Sequence, residues 1–343
     1  MKYEIDMLGV GAADALLIRF FDDNDNAYVI LVDSGNYSNG KTVADFVKNR
    51  YKTYTIDLAI CTHCDEDHFG GFIYLLENMK NNPNTSVDIK KILINDPGLH
   101  ITQDDVKYYQ NIDNVRKEAR SVYNANGKNL LELIWELSQK RGLSYSEAFS
   151  DKHNSEFNGL IDILGPSIDF YKNQALLFRN DLKPYDYALA DDNEDAYEIP
   201  ETKKIYSKKL DEVGNDPSHH NKSSIIFLFK PDDEHYFLFT GDADAESFEN
   251  FKYQCDIEKI KNIYWMKLPH HGSAHNMSND MINYIHPKIA YVSTEKYGHY
   301  LDKIVVGALK KVGTSIYSTN NTVNVWHHNN TPQRNDYSTA KKL

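Results

Sequence analysis

The stretch Thr62-His63-Cys64-Asp65-Glu66-Asp67-His68-Phe69-Gly70-Gly71 packs two histidines and three carboxylates into six residues. Imidazole and carboxylate are the ligands of zinc and similar divalent ions. Side chains this crowded repel one another or stay wet unless a cation holds them. A solvated polar loop with a helix cap is the plain alternative for such a run taken alone. It is weakened because matching pieces occur in order elsewhere: Asp33-Ser34-Gly35 before it, and Thr240-Gly241-Asp242 and His270-His271-Gly272-Ser273 after it.

Each piece follows a short apolar run. Ile56 to Cys61 reads as a buried strand, and Phe72 to Met79 as a helix, so the charged cluster sits on a strand-to-helix loop that a rigid scaffold can hold. Strands are expected at Lys2 to Leu8, Ala15 to Phe21 and Tyr28 to Val32, then a helix over about Gly40 to Arg50 and a strand from Val87 to Asn95. After Pro97 the texture becomes helical, with Leu130, Leu131, Ile134, Trp135 and Leu137 reading as one apolar face. Ile161 to Ser167 returns to a strand. Residues 185–217 are acidic and loop-forming. Strands resume at Ser224 to Phe229, Tyr236 to Phe239, Ile263 to Leu268 and Ile289 to Ser293, with a helix over about Ala245 to Tyr253. Strands first, then strand and helix in alternation, suggest a layered α/β domain. Functional groups at several strand ends can converge on one site.

The chain has 343 residues, 41% hydrophobic and 26% charged, as expected of a soluble globular protein with a large core. Its net charge of −12 excludes a general attraction to nucleic acid or anionic membrane. Cys61, Cys64 and Cys255 are too few for a disulfide framework and fit a reducing, cytoplasmic setting. Cys64 occupies an intervening position in the charged cluster. No signal peptide and no membrane-spanning run is visible. His327 and His328 fall in a polar tail and receive no role.

Together, Asp33-Ser34-Gly35, His63-x-Asp65-x-Asp67-His68, Thr240-Gly241-Asp242 and His270-His271-Gly272-Ser273 resemble the metallo-β-lactamase superfamily. Asp65 stands where the broad family has a second histidine. That variant resembles the branch holding the metallo-hydrolase domain of ComEC-type DNA-uptake proteins and the phosphorylcholine esterases. Val10-Gly11-x-x-Asp14, Asn221-x-Ser223 and Tyr297-Gly298-His299 resemble the ComEC-type branch too. The resemblance implies a four-layer αββα sandwich over residues 1–343, with a helical insertion at about 97–157 and an acidic, loop-rich one at about 172–217.

It also implies roles. His63, Asp65 and Asp242 would hold one metal ion; Asp67, His68, Asp242 and His271 would hold a second. Where many relatives place another histidine the chain reads His219-His220-Asn221, so Asn221, His220 or a water would complete the first site. Asp67 and His270 are the candidate catalytic residues, His270 as proton donor. Asp33 would orient a ligand, and Asn221 and His299 are candidates beside the metals or the substrate. Oxygen and nitrogen ligands of this kind favour two Zn²⁺ ions, with Mn²⁺ second. Two such ions about 3.5–4 Å apart can share a hydroxide and clamp a substrate oxygen.

The expected activity is hydrolysis of small phosphodiesters or short oligonucleotides by a metal-bound hydroxide. Hydrolysis of an ester, lactone or amide is the alternative within enzymes. A metal-binding docking module without turnover is the alternative outside them. The helical insertion is the expected place for a lid, a partner protein or a homodimer contact.

Overall fold

The computed structural model describes residues 1–106, 111–152, 155–178, 209–252, 260, 263–294, 301–319, 322 and 324–343. His299, Cys255 and most of the acidic segment at 172–217 lie outside the described residues. Two large sheets dominate. In spatial order the first runs Ser144–Ser146, Lys91–Leu93, Leu58–Ile60, Ala27–Val32, Leu16–Phe21, Lys2–Leu8, Asn324–Asn329. The second runs Ser155–Glu156, Ile161–Gly165, Ile226–Phe229, Phe237–Phe239, Trp265–Lys267, Ile289–Val292, Ser315–Ser318, Lys341–Lys342. Each sheet has an antiparallel part and a parallel part. The candidate site residues follow the C-terminal ends of strands in the parallel parts.

The period-2 pattern of the strands explains the layering. Tyr3, Ile5, Met7, Ile18, Phe20, Ile30 and Val32 meet Phe227, Phe229, Phe237, Phe239 and Trp265 in a core between the sheets. The alternate residues Leu17, Leu31, Ala59 and Ile92 face the helices Asn39–Phe46, Glu66–Asn81 and Leu130–Arg141. On the far side Leu228, Leu238, Met266 and Val292 pack under the helices Ala245–Lys252, Asn279–Ile285 and Lys303–Lys311. Helix, sheet, sheet, helix is the four-layer αββα sandwich expected from the sequence.

Several boundaries differ from the sequence reading. The site helix starts at Glu66 rather than near Phe72, with Asp65 as its extended cap residue, so Asp67 and His68 lie in its first turn. Carboxylates at a helix N-terminus meet its positive dipole end, which favours the early start. The block after Pro97 holds the helices Ile112–Arg120 and Leu130–Arg141, and it also adds Ser144–Ser146 to the edge of the first sheet. Trp135 does not belong to the apolar face of its helix: it is 62% exposed, while Leu130, Leu133, Ile134 and Leu137 are buried.

His327 and His328 are not in a polar tail. They belong to the strand Asn324–Asn329, which pairs with Lys2–Leu8 and places Ile5 opposite His327. His327 lies among Tyr3, Phe237 and Tyr264. Burial there, with the charges of His328 and His235, pushes its pKa down to about 4. The unfolded chain takes up this proton near pH 6.5 and the folded chain only near pH 4. The contribution of a neutral His327 is therefore present above about pH 6.5 and lost as pH falls towards 4. His327→Phe is expected to remove this sensitivity. In urea titrations at pH 7 and pH 4, wild type should lose about 2 kcal/mol more than the variant. Equal losses would contradict the assignment.

Candidate metal centre

The loop after Leu58–Ile60 and the helix Glu66–Asn81 are stitched to two neighbouring turns. Ser34 donates its backbone N–H to the His68 carbonyl at 2.8 Å, Gly71 to the Gly35 carbonyl at 2.8 Å, and Asp14 to the Asp67 carbonyl at 3.2 Å. Gly71 permits this approach, because a Cβ there would lie 2.1 Å from the Ser34 carbonyl oxygen. Asp242 follows the strand Phe237–Phe239, and Ser224 Oγ accepts its backbone N–H at 3.1 Å. After Trp265–Lys267 the chain turns sharply, with His270, His271 and Gly272 all left-handed at φ 43°, 54° and 79°. Two consecutive non-glycine residues in that region are costly, and such strain concentrates at functional sites.

These elements bring His63, Asp65, Asp67, His68, Asp242 and His271 into one cluster. His68 lies at its centre: Nε2 is 3.3 Å from Asp242 Oδ2 and 3.7 Å from Asp67 Oδ2, while Nδ1 is 2.8 Å from Asp33 Oδ2. His63 Nε2 is 3.7 Å from Asp65 Oδ2 and its Nδ1 is 3.0 Å from Thr62 Oγ1. His271 Nε2 is 3.6 Å from Asp67 Oδ2, with Nδ1 3.1 Å from the Ser293 carbonyl. In all three histidines a neighbour occupies Nδ1 and Nε2 faces carboxylates. That is the way ligating imidazoles are oriented by outer partners.

His63 Nε2 and His68 Nε2 are buried atoms without a hydrogen bond. The donor groups His63, His68, Asp242 and Asp67, His68, His271 each have their ligand atoms within 4.8 Å of one another. Buried, unpaired nitrogens among carboxylates fit divalent cations. The field of the cluster has the same sense. Burial opposes charge on His68, but Asp242, Asp67 and Asp33 outweigh it and hold its pKa well above the ordinary value.

Asp33 also binds Thr62, accepting its backbone N–H at Oδ1 and its hydroxyl at Oδ2, both at 2.8 Å. Asn221 is buried beside the cluster, donating Nδ2 to Asp216 at 2.7 Å and leaving Oδ1 without a hydrogen bond. His270 lies at the rim. Its backbone N–H donates to Asp242 Oδ1 at 3.1 Å, and its Nδ1 is 3.0 Å from Asn276 Oδ1 and 3.2 Å from Asp216. Burial pushes the pKa of His270 down; the Asp216 hydrogen bond and the Asp242 charge outweigh it and lift it to about 9. Asp216 is correspondingly held down at about 2, burial being overcome by His270 and Asn221.

Sequence reasoning passed over Lys267. Its buried ammonium pairs with Asp14 and lies 3.2 Å from Asp242 Oδ1. It thus holds one oxygen of Asp242 and leaves Oδ2 turned to His68. A lysine inside the apolar run Tyr264-Trp265-Met266-Lys267-Leu268 was the available signal, since buried charges need partners. Asp14 closes the network by accepting the Ser293 hydroxyl beside His271. Asp216 and Asn276 carried no signal of their own, because each is an ordinary turn residue until folding sets it against His270.

Residues 8–121 match the family model of the metallo-beta-lactamase superfamily, a segment that contains Asp33 and the whole His63 to His68 motif. No curated protein matches the chain. A long form RNase Z from yeast is similar at 14% identity and a TM-score of 0.38, over 86% of this chain and 37% of that one. The chain therefore spans little more than a third of that protein's length. A diphosphatase of the PhnP family is similar at 8% identity and a TM-score of 0.43, over 96% of this chain and 98% of that one. Neither likeness points to the ComEC-type branch in particular.

Proposed function

We propose that the chain is a metal-dependent hydrolase of phosphodiesters. The observation that carries this reading is the pair of buried, unpaired Nε2 atoms of His63 and His68, facing Asp242 and Asp65 within one donor cluster. His63 and Asp242 would serve one ion and Asp67, His68, Asp242 and His271 the other, with Asp65 at the edge of the first. Such ions, when bound, acidify a coordinated water towards pH ~7 and take up charge on a substrate oxygen.

The residues around them do the rest. Asp33, Thr62 and Ser293 fix the three imidazoles, and Lys267 fixes Asp242. Asp65 and Asp67, with side chains 36% and 33% exposed, form the open side through which substrate enters. Two ions against Asp65, Asp67 and Asp242 leave a net charge near +1, which suits a compact phosphate group. The −12 charge of the whole chain works against a long polyanion. Small diesters and short oligonucleotides are therefore the proposed substrates, with the Asp65 variant supporting kinship with the ComEC-type branch.

His270, held by Asp216 and Asn276, keeps a proton at neutral pH and is the proposed acid for the leaving oxygen. His270→Ala is expected to slow a diester with an alkoxide leaving group by ~10²-fold or more, and a nitrophenyl diester much less. The measurement is turnover of both proteins on the paired substrates. Equal slowing would remove His270 as the acid. Turnover of nitrophenyl esters or lactones alone would shift the reading to those substrates.

A further inference from the structure

Beside the centre lies a second cluster of ligand-type side chains. Cys64, Asp65 and His220 come from two segments 155 residues apart, and their donor atoms lie within 4.8 Å of one another. His220 Nε2 is 3.3 Å from the Phe178 carbonyl, and its ring stands edge-on to Phe178 at 4.8 Å between centroids. Nε2 donates to the Phe178 carbonyl, and Nδ1 is the nitrogen that faces Asp65. Nδ1 is 2.8 Å from Asp65 Oδ1. A tetrahedral ion with bonds of ~2.0–2.3 Å holds its donors ~3.3–3.8 Å apart, within the 4.8 Å that encloses the thiol, carboxylate and imidazole donors here. The opposite oxygen of Asp65 faces the buried, unpaired His63 Nε2 at 3.7 Å.

We infer that Cys64, Asp65 and His220 form a further metal site, bordering the His68-centred cluster through Asp65 but loaded independently of it, and selective for a thiophilic ion such as Zn²⁺. The thiol is what distinguishes it. Thiolate selects zinc over magnesium, calcium and manganese, whereas the neighbouring donors are carboxylate and imidazole only. Loading the site releases the Cys64 proton to solvent and leaves a thiolate–metal bond. Cys61 does not belong to it, because its thiol is directed to the His63 carbonyl at 3.4 Å. The site would pin the His219–Lys222 helix to the loop that carries His63, and it would claim Asp65 Oδ1 while His63 and Asp242 serve the adjoining ion. It rests on its own three donors rather than on any substrate.

The test is the absorption spectrum of the full chain loaded with Co²⁺, which reports a thiolate ligand as an intense sulfur-to-metal charge-transfer band in the near ultraviolet. Wild type is expected to show the band, Cys61→Ser to keep it and Cys64→Ser to lose it together with about one equivalent of metal. Asp242→Asn, which disturbs the main centre, is expected to keep the band. Zn²⁺ should displace the cobalt and bleach the band, and Mn²⁺ should not. A wild-type cobalt protein without the band, or a folded Cys64→Ser protein that keeps both band and metal content, would overturn the site. Loss of the band in Asp242→Asn would overturn its independent loading. These readouts do not involve turnover, so failure of the proposed phosphodiesterase activity would leave them standing.

Discussion

Asp242→Asn is expected to lose metal and hydrolysis together, with turnover falling by on the order of 10³-fold. The reason is its position. Oδ2 lies 3.3 Å from His68 Nε2, while Oδ1 receives Lys267 and the His270 backbone N–H. Only the negative charge of Oδ2 is aimed at the cluster, and the amide removes it. Alanine is the harsher change, because it deprives Lys267 of one of its two buried carboxylates. Lys267 keeps Asp14 in either variant, so the fold should survive. Losing one partner of a buried pair costs ~3–5 kcal/mol, and the asparagine, which retains an acceptor at Oδ1, should cost less. Elemental analysis beside thermal melting separates the outcomes. At least one equivalent of metal should be missing from a protein that still melts cooperatively. Wild-type metal content in Asp242→Asn would refute its role as the shared ligand.

Gly71→Ala is expected to be the most disruptive small change. Its Cβ would stand 2.1 Å from the Ser34 carbonyl oxygen and 2.9 Å from that carbonyl carbon. Both are backbone atoms, so no side chain can swing aside. The helix Glu66–Asn81 must retreat from the turn at Asp33 to Gly35, breaking the Gly71-to-Gly35 and Ser34-to-His68 hydrogen bonds. Overpacking of this kind costs ~3 kcal/mol or more, and retreat of the helix carries Asp67 and His68 away from Asp242 and His271. The internal control is Gly307 in the helix Lys303–Lys311, where an added Cβ meets nothing within 4 Å. Gly307→Ala should raise stability by ~0.5–1 kcal/mol through helix propensity alone. Chemical denaturation of the two variants gives the comparison. A Gly71→Ala protein as stable and as active as wild type would contradict the close approach of helix and turn.

The same helix shows why part of the site was legible. Histidine and carboxylate crowded into one strand-to-helix junction have few other uses, and the apolar runs before Asp33, Asp242 and His270 announced strand ends that could converge. The continuous apolar runs Leu16-Leu17-Ile18 and Phe227-Leu228-Phe229 reflect burial on both faces, so a layered α/β domain could be read from local pattern, while the four-layer sandwich came from the family resemblance. The long-range partnerships were not legible. Lys267 with Asp14, Asp216 with His270, and His220 with Asp65 join residues far apart in the chain, and each looks ordinary in its own segment. The strands Ser315–Ser318 and Asn324–Asn329 escaped for a related reason. They are short and carry serine, histidine and asparagine, so their burial comes from pairing with Ile289–Val292 and Lys2–Leu8 rather than from their own composition.

Turnover of bis(4-nitrophenyl) phosphate by the purified chain most directly tests whether the cluster around His68 is a hydrolytic metal centre. The protein would be assayed as isolated, after stripping with a chelator, and after return of Zn²⁺ or Mn²⁺, with 4-nitrophenyl acetate and a lactone run in parallel. The account predicts phosphodiester cleavage that disappears on stripping, returns with metal, and is absent in Asp242→Asn. Metal-replete protein that leaves the diester intact, or cleaves it equally well after stripping, would contradict it.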